Sequence, residues 1–499
     1  MTQTIPLPRS AAEAEPRVSH RWLALAILGV AQLMVVLDAT IMNVALPSAQ
    51  RALGFSDADR QWVVTAYALS FGSLLLLGGR LGDLIGRRAT FMIGLVGFAT
   101  ASAVGGAAQN FAMLASARAA QGVFAALLAP AALGLLTTTF TDPKERAKAF
   151  GIFSALAGTG GAIGLLLGGA LTTYASWRWA LYINLGFAAI ALFGTARLLP
   201  RMVRSGSVHL DWWGTLTASA GLFSLVYGIS HAETAGWADG VTVGSLVVSA
   251  LLLVTFAWTQ TKVEHPLLPP RVVLDRNRAG SYLAMLVVGS GMFAVFLFLT
   301  YYLQQTVGFS AIRTGIAFLP MVAALVAAAQ VTALVLLRRL GARILIPTGM
   351  AIAAVGLALL ARIGVDTGYA THVLPGLIVM GLGIGVVFAT AMQTAIAGVE
   401  HRDAGVASAM VNTVQQVGGS IGVALLGTIA GDAVSSYLSG KGVPTPALLQ
   451  AAAVHSYTTT FWWAAGILAI GAGLVGAVLP SGTAAPVAQT ASTEPVMVH

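Results

Sequence analysis

The sequence predicts an all-α polytopic membrane protein of about 14 transmembrane helices. Apolar stretches recur along the whole chain, and several reach the roughly 18–20 residues that a helix needs to cross a bilayer. Only 9% of the residues are charged and 57% are hydrophobic, whereas a soluble protein carries roughly 25% charged residues. The same figures exclude a disordered chain, which would be polar. The basic residues also alternate between loops as a membrane topology requires.

Charges and helix-terminating residues bracket each span in turn. The first, 22–46, runs from Trp22 behind Arg21 to Leu46, with Pro47 at its outer end. It is too long for a signal-peptide core and lacks a small-residue cleavage site. The second, 61–79, lies between Arg60 and Arg80, and the third, 90–108, begins behind Arg87 and Arg88. Phe111 opens the fourth, 112–138, while Lys144, Arg146 and Lys148 precede the fifth, 149–174. Arg178 introduces the sixth, 179–199; Arg201 and Arg204 precede the seventh, 213–231, and Lys262 closes the eighth, 241–261. Arg276 and Arg278 precede the ninth, 281–304; Arg313 and Arg338 bracket the tenth, 315–337; Arg343 precedes the eleventh, 344–363. The last three are placed at 372–393, at 404–430 behind Arg402, and at 458–479.

With both termini in the cytoplasm, about 20 Lys and Arg fall inside and about 6 outside, leaving Arg118 alone within a span. The net charge of +9 therefore reports topology and not a nucleic-acid partner. The absence of cysteine excludes disulfides, thiolate nucleophiles and Cys-ligated metals.

The chain also repeats itself. Gly54-Phe55-Ser56 returns as Gly308-Phe309-Ser310, Gly86-Arg87-Arg88 as Gly341-Ala342-Arg343, and Gly160-Gly161-Ala162-Ile163-Gly164 as Gly418-Gly419-Ser420-Ile421-Gly422. The offsets are all about 254–258 residues and the topological places are equivalent, as in transporters built from parallel repeats. The expected organisation is a cytoplasmic tail 1–21, a six-helix half 22–199 and an inserted helix pair with its leading loop, 200–262. A proline-broken cytoplasmic linker 263–280, a second six-helix half 281–480 and a disordered tail 481–499 follow.

Asp38 is the one carboxylate deep in a span and Arg118 the one deep cation. A charge at the bilayer centre costs about 2.5–3.5 kcal/mol on insertion scales, so both are expected to face the interior. At about 1.5 Å per residue, Asp38 lies roughly 13 Å from Pro47 and Arg118 roughly 11 Å from Phe111, on the same level. Burial opposes the charge on Asp38 and a nearby cation favours it, so the pair suits uptake and release of a proton. The plainer reading is a structural ion pair.

Gly160, Gly164 and Gly168 form two successive G-x-x-x-G units, with Gly169 beside them, and let helix backbones approach closely. In the loop from Gly79 to Arg88, Asp83 stands near Gly86, Arg87 and Arg88 and is suited to charge-assisted bonds. The sharper reading is a conformational latch. Gln32, Met34, Met42, Phe293, Phe296, Tyr301 and Gln305 combine apolar surface with few polar groups and are the expected substrate contacts.

These residues resemble the major facilitator superfamily, and within it the fourteen-helix drug/proton antiporters of bacteria. The loop at 79–88 is similar to that superfamily's motif between helices 2 and 3. Leu37 to Pro47 resembles the family's first-helix motif, and Arg118-Ala119-Ala120-Gln121-Gly122 the helix-4 motif whose arginine is linked to proton transfer. Trp177-Arg178-Trp179 with Ile183-Asn184, and Asp211-Trp212-Trp213-Gly214, are similar to the family's leads into helix 6 and the inserted pair. Two positions depart from the pattern. The helix-5 antiporter motif usually has Gly-Pro, whereas Leu165 follows Gly164 here. The span 315–337 holds no carboxylate, which favours monovalent or neutral lipophilic compounds over divalent cations.

The resemblance implies a fold of two six-helix halves plus an inserted pair, in the bacterial cytoplasmic membrane. It implies proton-coupled efflux of lipophilic drugs or antibiotics by alternating access, with no cofactor. No G-x-x-x-x-G-K-[ST] loop is present, so no nucleotide is expected as a partner. The alternative within transport is a proton symporter importing a small polar solute, for which the spans hold few polar groups. A membrane enzyme would need His, Asp or Glu clustered at one depth, and the histidines are scattered among loops.

Overall fold

The computed structural model describes residues 18–480 apart from 141, 200–210, 265, 398, 400–403, 442 and 444. Among the described residues the chain is helical without strands. The first eight long helices are α1 (Val18–Leu53), α2 (Asp57–Ile85), α3 (Arg87–Gly106), α4 (Phe111–Thr139), α5 (Pro143–Tyr174), α6 (Trp179–Leu198), α7 (Trp212–Ala235) and α8 (Gly240–Gln260). After a single turn at Pro270–Val273 come α9 (Arg276–Thr306), α10 (Ala311–Leu340), α11 (Ala342–Leu360), α12 (Tyr369–Ile396), α13 (Ala404–Leu438) and α14 (Pro446–Val478). Among the described residues, eleven helices are long and apolar enough to cross a membrane; α2 and α5 contribute shorter apolar stretches, Trp62–Leu75 and Ile163–Tyr174.

Most helices outrun the apolar run that announces them, because hydrogen bonding continues until a cap stops it. The fourteenth begins at Pro446 and not at 458, since the Thr445 hydroxyl caps the Leu448 N–H at 3.3 Å. The first continues through Pro47 to Leu53, so Pro47 lies within the helix and does not end it. The missing proline donor removes one backbone bond that an outer turn tolerates.

The start of α1 and the end of α14 lie on one face, called here the terminal face. There Arg276 of α9 donates to Val478 O of α14 at 3.0 Å, and Arg88 of α3 to Ala196 O of α6. The opposite face is the distal face. Packing within the first six helices joins α2 to α4, α3 to α4, α1 to α5 and α3 to α6; α9–α14 repeat the set as α10–α12, α11–α12, α9–α13 and α11–α14. Repeated sequence gives repeated backbone. Gly54 and Gly308 turn the chain at φ +68° and +75°, and Ser56 and Ser310 then cap the next helix from equivalent positions. The halves meet along two seams, α5 against α10 and α2 against α13, each the counterpart of the other.

The pair α7–α8 lies outside the second seam, with α7 on both α2 and α13. Asp211 anchors it. This buried carboxylate accepts from Gly214 N at 2.7 Å and from Gln260 Nε2 at 2.5 Å, while Gln260 Oε1 accepts from Leu268 N at 2.9 Å. Asp211→Ala is expected to cost about 3 kcal/mol, combining a lost cap with a lost charge-assisted bond. The check is a lower unfolding temperature in detergent. Outward-facing tryptophans mark both faces: Trp212, Trp213 and Trp258 at one, Trp179 and Trp237 at the other, as interfacial aromatic belts do.

Candidate functional site

The first-half interior holds a polar cluster assembled from five helices. Asp38 on α1 and Arg118 on α4 are 0% and 1% exposed, and Arg118 Nη1 donates to Asp38 Oδ2 at 2.5 Å. The shared level expected of these two charges is therefore an ion pair. Gln121, one turn from Arg118, donates to Asp38 Oδ1 at 2.9 Å and accepts from Arg118 Nη1 at 2.9 Å. Asn184 of α6 donates to the same Oδ1 at 2.8 Å. Ser102 of α3 accepts from both amides, at 2.7 and 3.2 Å. The Arg118 guanidinium lies 4.4 Å over the ring of Tyr67 on α2, and its Nε donates to Val63 O at 3.3 Å. The carboxylate thus accepts three N–H bonds and its counter-ion is clamped by a ring and a carbonyl, the satisfaction a buried pair requires.

Glycine makes this closeness possible. Gly164 packs on α1, where a Cβ would fall 2.0 Å from Thr40 Oγ1; Gly160 faces Val36 and Gly168 faces Ile41. These three therefore serve the α1–α5 contact inside the first half. Gly169 differs, because its missing Cβ would stand 2.5 Å from Ile312 Cα across the seam to α10. Gly315 reciprocates, 2.3 Å from Leu165 O.

On the distal face, polar contacts close the halves over the interior. Tyr301 donates to Gln50 Oε1 at 3.1 Å, Gln304 to Val44 O at 3.0 Å, and Ile312 N to Thr173 Oγ1 at 3.3 Å. The Arg60 guanidinium sits 3.7 Å over the Tyr301 ring. On the terminal face, Gly86 at φ +95° turns α2 into α3, and Gly79 lies near Pro130. From this turn Arg87 donates to Gly134 O in α4 at 2.9 Å, and Arg80 to Pro266 O of the linker at 3.2 Å. Asp83 lies near the end of α2, but its side chain is outside the described residues.

The expected substrate contacts are not brought together. Met34 and Met42 are fully buried in two different apolar clusters. Phe296 packs on Phe318 with ring centroids 5.3 Å apart. Tyr301 belongs to the distal closure, and Gln305 is exposed in the π-turn that ends α9. Gln32 lies beside Phe91 and Leu128, where no cavity opens among the described residues; the Phe293 side chain is outside the described residues. Sequence reasoning missed Ser102 and gave no role to Gln121, Asn184 or Tyr67. Gln121 and Asn184 stood within quoted motifs, and that was the signal they gave.

The sequence model of the Major Facilitator Superfamily matches residues 28–423. The chain is 48% identical over 482 residues to the puromycin resistance protein of Streptomyces alboniger, covering 96% of this chain and 95% of that one. It is 38% identical to the cephamycin export protein of Amycolatopsis lactamdurans, covering 84% and 87%. The crystal structure of a bacterial homologue of the human lysosomal transporter spinster, inward-facing and unoccupied, superposes with a TM-score of 0.66. That match covers 92% of this chain and 97% of the other at 16% identity, a likeness of fold.

Proposed function

This chain belongs to the major facilitator superfamily, in its drug-efflux branch, and we propose that it expels an amphipathic antibiotic from the bacterial cytoplasm in exchange for protons. The observation that carries this reading is the Asp38–Arg118 pair, sealed from solvent between α1 and α4. A carboxylate balanced by one cation and two amide N–H donors can exist charged or neutral, and helix movement that separates Asp38 from Arg118 shifts that balance toward the neutral form. Proton uptake is thereby tied to conformation.

In this reading the terminal face is cytoplasmic and the distal contacts are the closed outer gate. The loop at 79–88 latches the terminal face through Arg87 and Arg80, and Gly169 of α5 allows the rocking contact with α10. The work comes from the proton gradient, so no cofactor or nucleotide is required. The relative named for puromycin resistance makes puromycin the first compound to test; a lipophilic monovalent cation is the second.

The experiment uses inverted membrane vesicles with an acid interior reported by a quenched dye. Addition of puromycin to vesicles holding the protein is expected to release protons and restore fluorescence, in proportion to protein amount. Fluorescence unchanged by puromycin, by the cation and by a panel of amphipathic antibiotics would remove the antiport reading and favour import of a polar solute.

A further inference from the structure

We propose that Asn184 of α6 is a positioning residue for the proton on Asp38: its amide N–H holds the carboxylate in the charged form and so sets the pH at which the site takes up its proton. The proposal rests on Asp38 being the proton carrier and adds a residue of α6, which packs on α1, to the coupling site.

Three observations carry it. Asn184 is 0% exposed and aims Nδ2 at Asp38 Oδ1, 2.8 Å away. An ionised carboxylate only accepts hydrogen bonds, so the amide atom facing it is the nitrogen. The second observation is the cost of this orientation, because Asn184 Oδ1 is buried without a hydrogen-bond partner among the described residues. A residue placed for packing alone would avoid an unpaired buried acceptor. Third, Ser102 accepts from both Asn184 and Gln121, which fixes the two amides as a pair of donors converging on one carboxylate oxygen.

The charged and titratable groups that face Asp38 from the packed helices are Arg118 on α4 and Tyr67 on α2. The middle turns of α3 and α5 carry no titratable side chain; α6 carries Tyr182, which packs beside Gly106, and Arg197 in its last turn, over the Phe193 ring. Removing the Asn184 donor therefore changes the hydrogen bonding of Asp38 without removing a charge. A carboxylate that loses one of its donors is less favoured against its protonated form, so protonation moves to higher pH.

The test reads Asp38 directly and needs no substrate. Purified protein in liposomes is titrated by infrared difference spectroscopy, following the carbonyl stretch of a protonated carboxyl that disappears in Asp38→Asn. Asn184→Leu, which keeps the branched heavy-atom skeleton without a donor, is expected to move the midpoint of that band upward by about one pH unit, tenfold in proton affinity. Asn184→Gln, which keeps an amide, should return it part of the way. If Asn184→Leu does not accumulate in the membrane, Asn184→Ala is judged by the same criterion. An unmoved midpoint with lowered thermal stability makes Asn184 a structural residue and overturns the proposal, leaving Asp38 as the carrier. A native protein with no band sensitive to Asp38→Asn removes the carrier reading itself, and this proposal with it.

Discussion

Asp38→Asn is expected to abolish pH-driven accumulation of substrate while the protein still folds and still exchanges substrate down its gradient. Asparagine matches the shape of aspartate but can neither bear the charge nor deliver a proton at any working pH. A transporter that exchanges one proton per substrate gains a tenfold concentration ratio for each pH unit across the membrane, or 1.36 kcal/mol. Without the proton that ratio falls to one. Removing one partner of a buried ion pair costs about 3–5 kcal/mol, and here the loss should sit at the lower end. Arg118 keeps Gln121 Oε1 at 2.9 Å, Val63 O at 3.3 Å and the Tyr67 ring as partners. The measurement pairs two assays on the same reconstituted variant, uptake driven by an imposed pH difference and counterflow with labelled substrate and no pH difference. Loss of the first with retention of the second is the expected result. Full pH-driven uptake by Asp38→Asn would place the proton site elsewhere.

Asp38 and Arg118 were legible in the sequence because a charge inside an apolar span is rare, and their depths follow from the fixed rise of a helix. The neutral members of the cluster were not. Serine, asparagine and glutamine are common in membrane helices, and neither hydropathy nor spacing tells which of them point at a carboxylate on another helix. Ser102 had no signal of its own. Repeat matching carried further, since Gly54 with Gly308 and Ser56 with Ser310 proved equivalent in backbone and capping. Helix limits were misplaced wherever a cap lay beyond the apolar run, as Thr445 does for α14. The glycine run illustrates the remaining gap. Its spacing announced close packing, but only the three-dimensional arrangement separates Gly160, Gly164 and Gly168, which face α1, from Gly169, which faces the other half.

That separation leads to the second large effect. Gly169→Leu should prevent closure of the distal face and stop transport, whereas the buried pair at Asp38 stays intact. A Cβ at position 169 would lie 2.5 Å from Ile312 Cα and 2.7 Å from Ala311 O, both backbone atoms that cannot rotate away. The helices must part, and they part at the end of the molecule that carries the Tyr301–Gln50, Gln304–Val44 and Ile312–Thr173 bonds. The α1–α5 contact does not involve this position, so the first half should fold unchanged. Because the chain has no cysteine, closure can be read without a prior substitution. Thr173→Cys with Ile312→Cys places two thiols across the seam, and a short bifunctional reagent is expected to join them in the otherwise native chain. Adding Gly169→Leu should reduce that cross-linking several-fold and abolish pH-driven uptake together. Gly186→Leu on α6, where a Cβ would meet nothing within 4 Å, is the control expected to change neither. Efficient cross-linking and normal uptake in the Gly169→Leu variant would show that the α5–α10 seam yields without parting, and that the distal gate is governed by the α1–α9 contacts instead.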